Sequence, residues 1–376
     1  MGLIPVTGQL IHDAAVFATH GGYQIVFNTR DPGLAWVEAG GRVFSEDDNG
    51  NIRSDRTVHK IFLEKELLDA AGGYTIRFAR CFARKPYFPE SGETFEKTYA
   101  FRPVTREDDL SVFMLCDTHS LIEEPVKTGG YFGEKLDALI LNGDIPDHSG
   151  TTEHLLSIFA IVSRLTGGEI PVIYARGNHD TRGEAALDFP RYVATDGGRL
   201  YYTFRLGPVW GVVLDCGEDK PDDHPEYGGM AHFDPYRAAQ TGFLDGILSR
   251  AGEEFAAPGV KYRIAVCHVR PDLYSDEYFA KHYRAWVARL NEMGIDLALH
   301  GHEHRRGFLP AGRETALGRI GYPVCLGGSF TGVKDEAGRL IRRNMEGTAL
   351  TFRDGEIRIV FTDESHAALE EYRVGK

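Results

Sequence analysis

The alternation of apolar and polar residues follows two different patterns along this chain. In the first hundred residues, short apolar or alternating runs are separated by turn-forming stretches such as Asp-Pro-Gly and Asp-Asp-Asn-Gly-Asn. Runs of this kind predict β-strands, and several short strands at this spacing are typical of a sandwich. The predicted strands are Tyr23–Thr29, Leu34–Glu38, Thr57–Leu63, Tyr74–Ala83 and Thr94–Arg102.

From Asp109 onward, apolar runs alternate with segments of helical periodicity. Fully apolar runs such as LSVFMLC and LDALILN predict strands buried on both faces, which is the βαβ pattern of an α/β fold. The runs on either side of Gly207-Pro208 predict an antiparallel pair, and Asp354-Gly355 predicts the turn of a C-terminal hairpin. Helices are predicted around Glu153–Leu165, Pro235–Arg250 and Glu277–Met293.

The change of pattern predicts two domains. We expect an all-β sandwich domain over residues 1–105 and an α/β domain over residues 106–376. A chain of 376 residues is longer than one typical domain, and a hydrophobic content of 42% can form a large core.

The net charge of −13 limits the partners of this protein. It argues against a nucleic-acid backbone or an anionic membrane, but a small anionic substrate is compatible with it because bound metal ions can dominate the field within one cleft. No apolar run spans a bilayer, and the N-terminus lacks the basic and apolar regions of a secretory signal, so we expect a cytoplasmic protein. The five scattered cysteines predict buried free thiols rather than disulfides.

Five polar clusters each follow directly on an apolar, strand-like run. Ligands of open α/β sheets bind beyond the carboxyl ends of the strands, so these clusters converge if their strands are neighbours. Asp117 and Asp144 are 27 residues apart, and Asp144 and Asn178 are 34 apart, which are the lengths of single βαβ units. The clusters are Asp117-Thr118-His119, Asn142-Gly143-Asp144, Gly177-Asn178-His179-Asp180, His268, and His300-Gly301-His302-Glu303-His304.

The residue types in these clusters indicate a metal site. Carboxylate, imidazole and amide groups without thiolates suit Mn, Fe, Zn or Co and disfavour Ca or Mg. The number of candidate ligands exceeds what one ion needs, so we expect two divalent ions that share a carboxylate. Two such ions retain positive charge after binding two aspartates, which matches a phosphate ester attacked by metal-activated water.

The five clusters resemble the motif set of the calcineurin-like metallophosphoesterase superfamily: D-x-H, G-D, G-N-H-[DE], a lone His and G-H-x-H. All occur in this order over about 110–304. The resemblance implies a β-sandwich core flanked by helices. It also implies a first metal held by Asp117, His119, Asp144 and His304. A second metal would share Asp144 and be held by Asn178, His268 and His302.

By the same resemblance, His179 is a catalytic residue rather than a ligand. It would face the substrate and either protonate the leaving oxygen or stabilise charge in the transition state. Asp180 would orient and charge its ring, as expected of a carboxylate–histidine pair. His300 is expected to be packed rather than coordinating. Arg182 and Arg305 follow site clusters closely, and either could bind a phosphate group or be a solvated surface residue.

A sandwich ahead of such a core is similar to the arrangement of purple acid phosphatases. The sequence departs from that family at two positions, because it has His119 where that family has Gly and Asp147 where it has a metal-binding Tyr. No purple tyrosinate–iron colour is therefore expected.

We predict a metal-dependent phosphoesterase acting on a small-molecule phosphate ester. The choice between a monoester and a diester stays open, because the metal residues serve both and the pocket loops decide between them. A monoester or nucleotide is slightly favoured. A non-catalytic scaffold of the same fold is a weaker hypothesis, since it would be free to lose residues that are all present here. A binuclear hydrolase of carbon–nitrogen bonds would not account for the Asn178-His179-Asp180 cluster.

Overall fold

The computed structural model describes residues 9–334 and 340–375. The first eight residues, on which the expectation of a cytoplasmic location partly rests, lie outside the described residues. No helix in the described part of the chain is long and apolar enough to cross a membrane.

The described residues form strands and helices in an order that is β-rich at both ends. The strands are β1 (Ala15–Ala18), β2 (Gly22–Asn28), β3 (Gly33–Ala39), β4 (Arg42–Ser45), β5 (Asp47–Asp48), β6 (Asn51–Ile52), β7 (Val58–Glu64), β8 (Gly73–Ala83), β9 (Glu90–Ala100), β10 (Leu110–Leu115), β11 (Ala138–Asn142), β12 (Pro171–Ala175), β13 (Tyr202–Leu206), β14 (Val209–Val213), β15 (Tyr262–Val266), β16 (Leu297–His300), β17 (Gly307–Leu309), β18 (Arg313–Thr315), β19 (Gly318–Ile320), β20 (Val324–Leu326), β21 (Phe330–Lys334), β22 (Leu340–Arg353), β23 (Glu356–Asp363) and β24 (Ala368–Gly375). The α-helices are α1 (Lys65–Ala71), α2 (Glu123–Gly129), α3 (Thr152–Thr166), α4 (Phe233–Ser249) and α5 (Glu277–Met293).

Two large sheets form the centre of the molecule. The first has the order β24-β23-β22-β10-β11-β12-β1-β2-β7, with β21 also paired to β22, and the second has the order β13-β14-β15-β16-β20-β17. Strands β10, β11 and β12 run parallel, as do β14, β15 and β16. Each parallel set therefore presents the carboxyl ends of its strands at one edge.

Alternate residues of the second sheet belong to two different hydrophobic cores. Ile264 and Val266 of β15 are buried in the core shared with the first sheet. Ala265, on the opposite face of the strand, is buried in a second core with residues of α4 and α5 such as Leu244 and Trp286. Because side chains of a strand point alternately to its two faces, this division places one sheet between the other sheet and the helices. The predicted sandwich core with helices outside is confirmed.

The N-terminal strands continue the first sheet rather than forming a sheet pair of their own. Strand β1 pairs in parallel with β12, with Val16 opposite Pro171, and β2 and β7 follow it outward. A separate sheet, in the order β4-β3-β8-β9, packs over β2 and β7, with the ring of His59 between Phe27 and Phe78. A sandwich is present, but one of its layers belongs to the central sheet. The division at residues 105 and 106 stays a prediction.

Most predicted elements are found close to the expected bounds. All five predicted N-terminal strands are present, helix α5 coincides with its predicted range, and Asp354 and Gly355 adopt the positive φ angles of a tight turn. The short strand β1 was not predicted, although it joins the two regions, because four apolar residues carry little periodicity. Four of the five free cysteines are buried as expected, whereas Cys81 is only half-buried.

Strands of the N-terminal region and of the α/β region are hydrogen-bonded into the same sheet. We therefore expect the two regions to unfold together. Calorimetry of the whole chain should give one transition, since residues of β1 such as Val16 and Phe17 are fully buried against the common core. A fragment starting at residue 106 should aggregate, because it leaves β12 with an unpaired edge. Two separate transitions, or a soluble folded fragment, would contradict this expectation.

Candidate metal centre

The five predicted clusters lie at the carboxyl ends of strands from the two central sheets, three in the first sheet and two in the second, and they meet in one place. They follow β10, β11, β12, β15 and β16 directly. Several of the candidate ligands have left-handed backbone conformations, which cost free energy in residues other than glycine and are concentrated at functional sites. These are Asp117 (φ 52°), His119 (φ 43°), Asp144 (φ 53°), His302 (φ 68°) and His304 (φ 52°).

One group of side chains combines Asp117, His119 and His304. The Nε2 atoms of His119 and His304 face each other at 3.1 Å, and the Nε2 atom of His304 lies 3.3 Å from the Oδ1 atom of Asp117. Both Asp117 oxygens also accept a hydrogen bond from the backbone N–H of His302, at 3.1 and 3.0 Å, which fixes the carboxylate. The predicted first metal site is thus assembled from three of its four residues.

A second group combines Asp144, His268 and His302. The Nε2 atom of His268 lies 3.2 Å from the Oδ2 atom of Asp144 and 3.6 Å from the Oδ1 atom of Asp117, so it lies between the two carboxylates. The predicted ligand Asn178 joins this group, because its Oδ1 atom is 2.9 Å from the Nδ1 atom of His302. All four residues predicted for the second metal are brought together, and the distance of 3.6 Å between His268 Nε2 and Asp117 Oδ1 connects them to the first group. Their role as ligands stays a prediction.

The donor set fits a pair of metal ions. The Nδ1–H group of His268 donates to the backbone carbonyl of Asn142 at 2.6 Å, which leaves Nε2 as the free coordinating nitrogen. That Nε2 atom is fully buried and makes no hydrogen bond with any residue that the structure describes. A buried nitrogen without a partner is costly, and a cation between it and the nearby carboxylates would satisfy it.

Without a cation, the charges of the site must balance among the side chains. Burial alone would raise the pKa of Asp144, but the neighbouring His268 outweighs it and holds the pKa below its ordinary value. Burial alone would lower the pKa of His268, and Asp144 and Asp117 overcome this and raise it to about 10. The positive charge that His268 carries in this state is the charge that bound metal ions would supply.

Two glycines of the motifs are required by the close approach of the loops. A Cβ atom on Gly177 would lie 2.1 Å from the Oδ1 atom of Asp144, and one on Gly143 would lie 2.5 Å from the His268 ring. Contacts that short are not tolerated, so the glycines allow the loops to bring their ligands together.

Gly177→Ala should therefore damage the site without unfolding the protein. The new methyl group displaces the Asp144 carboxylate, and we expect activity to fall about 100-fold, since displacing a catalytic group by about 1 Å has this effect. Gly242→Ala in helix α4 is the matched control, because its Cβ atom would enter open space. Turnover and metal content should be measured for both variants. Normal turnover of Gly177→Ala would show that the close approach of Gly177 to Asp144 is not needed for activity.

His179 lies beside the first group and is held in place by its neighbours. Its backbone N–H donates to the Oδ1 atom of Asp144 at 2.8 Å, and its Nδ1–H donates to the backbone carbonyl of Asp147 at 2.8 Å. The Asp147 carboxylate in turn lies 3.2 Å from the Nδ1 atom of His119. Asp147 thus contacts both a candidate ligand and the candidate acid. The sequence did not predict the contact with the acid, because it is made by the backbone carbonyl of Asp147.

The predicted pairing of Asp180 with the His179 ring is wrong. The Oδ2 atom of Asp180 instead accepts hydrogen bonds from the Gly177 N–H at 2.8 Å and from the Tyr174 hydroxyl at 2.9 Å. Residues 179–181 form a 3₁₀ turn, in which successive side chains point about 120° apart, so Asp180 is turned into the interior. Burial and the charge of Asp144 raise the pKa of Asp180 to about 8. Asp180 supports the loop and does not contact the ring of His179.

The two arginines near the site are both engaged by carboxylates. Arg182 makes a bidentate pair with Glu218, with two distances of 2.8 Å, whereas Arg305 is largely exposed and pairs with Glu303. His300 is buried as expected, its Nδ1 atom is 2.7 Å from the Cys267 carbonyl oxygen, and burial lowers its pKa to about 4.

Phe330 was not predicted from the sequence. Its ring centroid lies 6.0 Å from that of His119 and 6.1 Å from that of His304. It lies on β21, outside the five motifs, so no pattern in the sequence pointed to it.

Residues 114–306, more than half of the chain, match the sequence profile of the calcineurin-like phosphoesterases. The chain belongs to that family. As a calcineurin-like phosphoesterase, it is a metal-dependent phosphoric ester hydrolase, and the matched segment contains all seven candidate ligands and His179. No curated protein has a significantly similar sequence.

Two solved structures share the fold of this calcineurin-like phosphoesterase. A purple acid phosphatase from seeds of yellow lupin (Lupinus luteus) is 12% identical with a TM-score of 0.59, and the match covers 97% of this chain and 74% of that one. The structure of PhoD is 9% identical with a TM-score of 0.56, covering 97% and 89% of the two chains. At these identities the likeness concerns the fold, which includes the β-rich N-terminal region.

Proposed function

We propose that this calcineurin-like phosphoesterase hydrolyses a small-molecule phosphate ester at a centre of two divalent metal ions. The observation that supports two ions is the pair of adjoining ligand groups, one around Asp117 and one around Asp144, with the Nε2 atom of His268 within 3.6 Å of the first carboxylate and 3.2 Å of the second. Mn, Fe, Zn or Co suits this mixture of imidazole, carboxylate and amide donors.

In this proposal some side chains bind the metal ions, and His179 transfers a proton to the leaving oxygen. Bound metal ions would activate a water molecule and neutralise charge on the phosphoryl oxygens. Asp117, His119 and His304 would hold one ion, and Asn178, His268 and His302 the other. Both backbone and side-chain contacts of these residues are formed within the protein, so the site is preorganised for binding.

His179 is proposed to protonate the leaving oxygen. Its Nδ1–H group donates to the Asp147 carbonyl, which can only accept, so the ring is oriented and Nε2 is the atom available to the substrate. The Asp147 backbone thereby takes the orienting role that the sequence assigned to Asp180.

We propose a phosphomonoester or nucleotide as the substrate, with a phosphodiester as the second candidate. Neither a nucleic-acid backbone nor a membrane is a proposed partner, given the net charge of −13. A cytoplasmic location is also proposed, because the cysteines are free thiols, as in reducing compartments.

A substrate panel on the metal-loaded protein tests this function. The wild type should hydrolyse p-nitrophenyl phosphate faster than bis(p-nitrophenyl) phosphate, lose activity after chelation, and recover it with Mn. Faster hydrolysis of the diester would select the second candidate. Failure to hydrolyse either ester or any nucleotide, with each metal tried, would overturn the proposal in favour of a non-catalytic scaffold.

A further inference from the structure

The segment that carries Asn178 and His179 is fixed at its far end by a carboxylate from another loop. Glu218 lies after β14 and is only 2% exposed, and both of its carboxylate oxygens accept hydrogen bonds. Its Oε1 atom accepts from the Thr181 hydroxyl at 2.6 Å and from the Arg182 Nε at 2.8 Å. Its Oε2 atom accepts from Arg182 at 2.8 Å and from the Tyr227 hydroxyl at 3.0 Å.

Glu218 is itself held rigidly by the core. Arg237 of helix α4 is fully buried and donates to the backbone carbonyls of Cys216 and Glu218, at 2.8 and 2.7 Å. The loop that presents the carboxylate is therefore anchored to a helix. A buried, charge-assisted and bidentate pair fixes geometry more strictly than an exposed one.

Backbone contacts connect this anchor to the ring of His179. The carbonyl of Arg182 accepts from the Ser149 N–H at 2.7 Å, and the carbonyl of Asp180 accepts from the Ser149 hydroxyl at 2.8 Å. Ser149 lies two residues after Asp147, whose carbonyl accepts from the Nδ1–H of His179. A change at Glu218 would thus move both the segment that carries His179 and the acceptor of its ring.

We propose that Glu218 is a positioning residue that holds the His179 ring in the place from which it can protonate the leaving oxygen. The inference rests on the proposed function of His179 as the acid. In this role Arg182 directs two of its donor groups to Glu218. The pairing with Glu218 raises the pKa of Arg182 and keeps it charged.

Glu218→Gln tests this role, because it keeps the shape of the side chain and removes its charge. Turnover of esters with a good leaving group (p-nitrophenol) and a poor one (a simple alcohol) should be compared, within the ester class that the wild type hydrolyses. We expect a loss of about 10- to 100-fold for the alkyl ester and only about 2-fold for the aryl ester, since a misplaced acid matters most when the leaving group needs a proton. Metal content should stay unchanged.

Glu254→Gln is the matched control. Glu254 is also buried, at 3% exposure, and accepts hydrogen bonds from the Thr203 hydroxyl and the Trp210 Nε1, both at 3.0 Å, outside the five site motifs. Its substitution removes a comparable buried charge and should leave the ratio of alkyl to aryl turnover at the wild-type value. If both variants change that ratio equally, the role of Glu218 is merely structural and the proposal is overturned.

A double-mutant cycle with His179→Gln identifies the group through which Glu218 acts. If Glu218 positions His179, Glu218→Gln should have no further effect on alkyl-ester turnover once His179 is replaced. An undiminished effect in that background overturns the proposal. In the nuclear magnetic resonance spectrum, the Nδ1 proton of His179 should exchange faster with water in Glu218→Gln than in the wild type, and unchanged exchange would also count against it.

If Glu218→Gln does not fold, Arg182→Lys tests the same contact from the other side. It keeps the positive charge but loses the fork that binds both oxygens of Glu218, so the same dependence on leaving group is expected. A wild type that hydrolyses no phosphate ester would defeat the proposed function and this inference with it. An active wild type with leaving-group-independent losses would defeat this inference alone.

Discussion

Asp144→Asn is expected to lose metal and nearly all turnover. The Oδ2 atom of Asp144 lies 3.2 Å from the Nε2 atom of His268, and its Oδ1 atom accepts from the His179 N–H. Asparagine keeps the size of the side chain but not the negative charge that two cations would share. Metal ions supply several kcal/mol of transition-state stabilisation, so kcat/KM should fall about 1000-fold or more.

Metal content after dialysis, measured together with kcat/KM, checks this expectation. Asp245→Asn makes the same chemical change on the surface, where Asp245 pairs with Arg289 at 2.7 Å and is 52% exposed, and it should behave as the wild type. An Asp144→Asn variant that keeps two metal equivalents and normal turnover would show that this carboxylate does not bridge.

His179→Gln is expected to keep its metals and lose turnover. The His179 ring binds the Asp147 carbonyl through Nδ1, so its removal takes away a proton donor and no ligand. General acid catalysis contributes about 100- to 10,000-fold, and the loss should be greatest for substrates whose leaving group is a poor one.

The metal content distinguishes this result from damage to the metal centre. His20→Gln, at an exposed histidine that lies beside Glu254, is the control and should leave both quantities unchanged. Loss of metal from His179→Gln would mean that the imidazole is a ligand, and an equal loss for all leaving groups would mean that it is not the acid.

Much of the fold was predictable because its central parallel strands are almost fully apolar and others, such as β3, alternate strictly between buried and half-buried residues. Runs such as LSVFMLC and the turn at Asp354-Gly355 carry local signals that tertiary contacts do not override. The pairing of β1 with β12 could not be predicted, because a strand of four residues specifies no register and its partner is more than 150 residues away. Sheet continuity depends on this single pairing.

The convergence of the ligands within each sheet was predictable for a similar reason. Parallel neighbouring strands end at one edge, so residue types at strand ends were sufficient to predict that Asp117 and Asp144 lie at one edge of the first sheet, and His268 and His302 at one edge of the second. The rule did not predict that these two edges meet and place His268 beside Asp144. The direction of Asp180 was not predictable, because the motif does not specify that its loop makes a 3₁₀ turn. The contacts of the Asp147 carbonyl and of Glu218 were not predicted, because backbone acceptors and residues of irregular loops leave no pattern in the sequence.

The continuous ladder from β12 through β1 to β7 has a mechanical consequence. The layer formed by β1, β2 and β7 is hydrogen-bonded into the central sheet and has no hinge about which to swing, so this layer cannot open and close as a mobile lid does. Whatever it contributes to the choice of substrate must be contributed as a fixed wall, and exchanging it for another module would require redesigning the edge of β12.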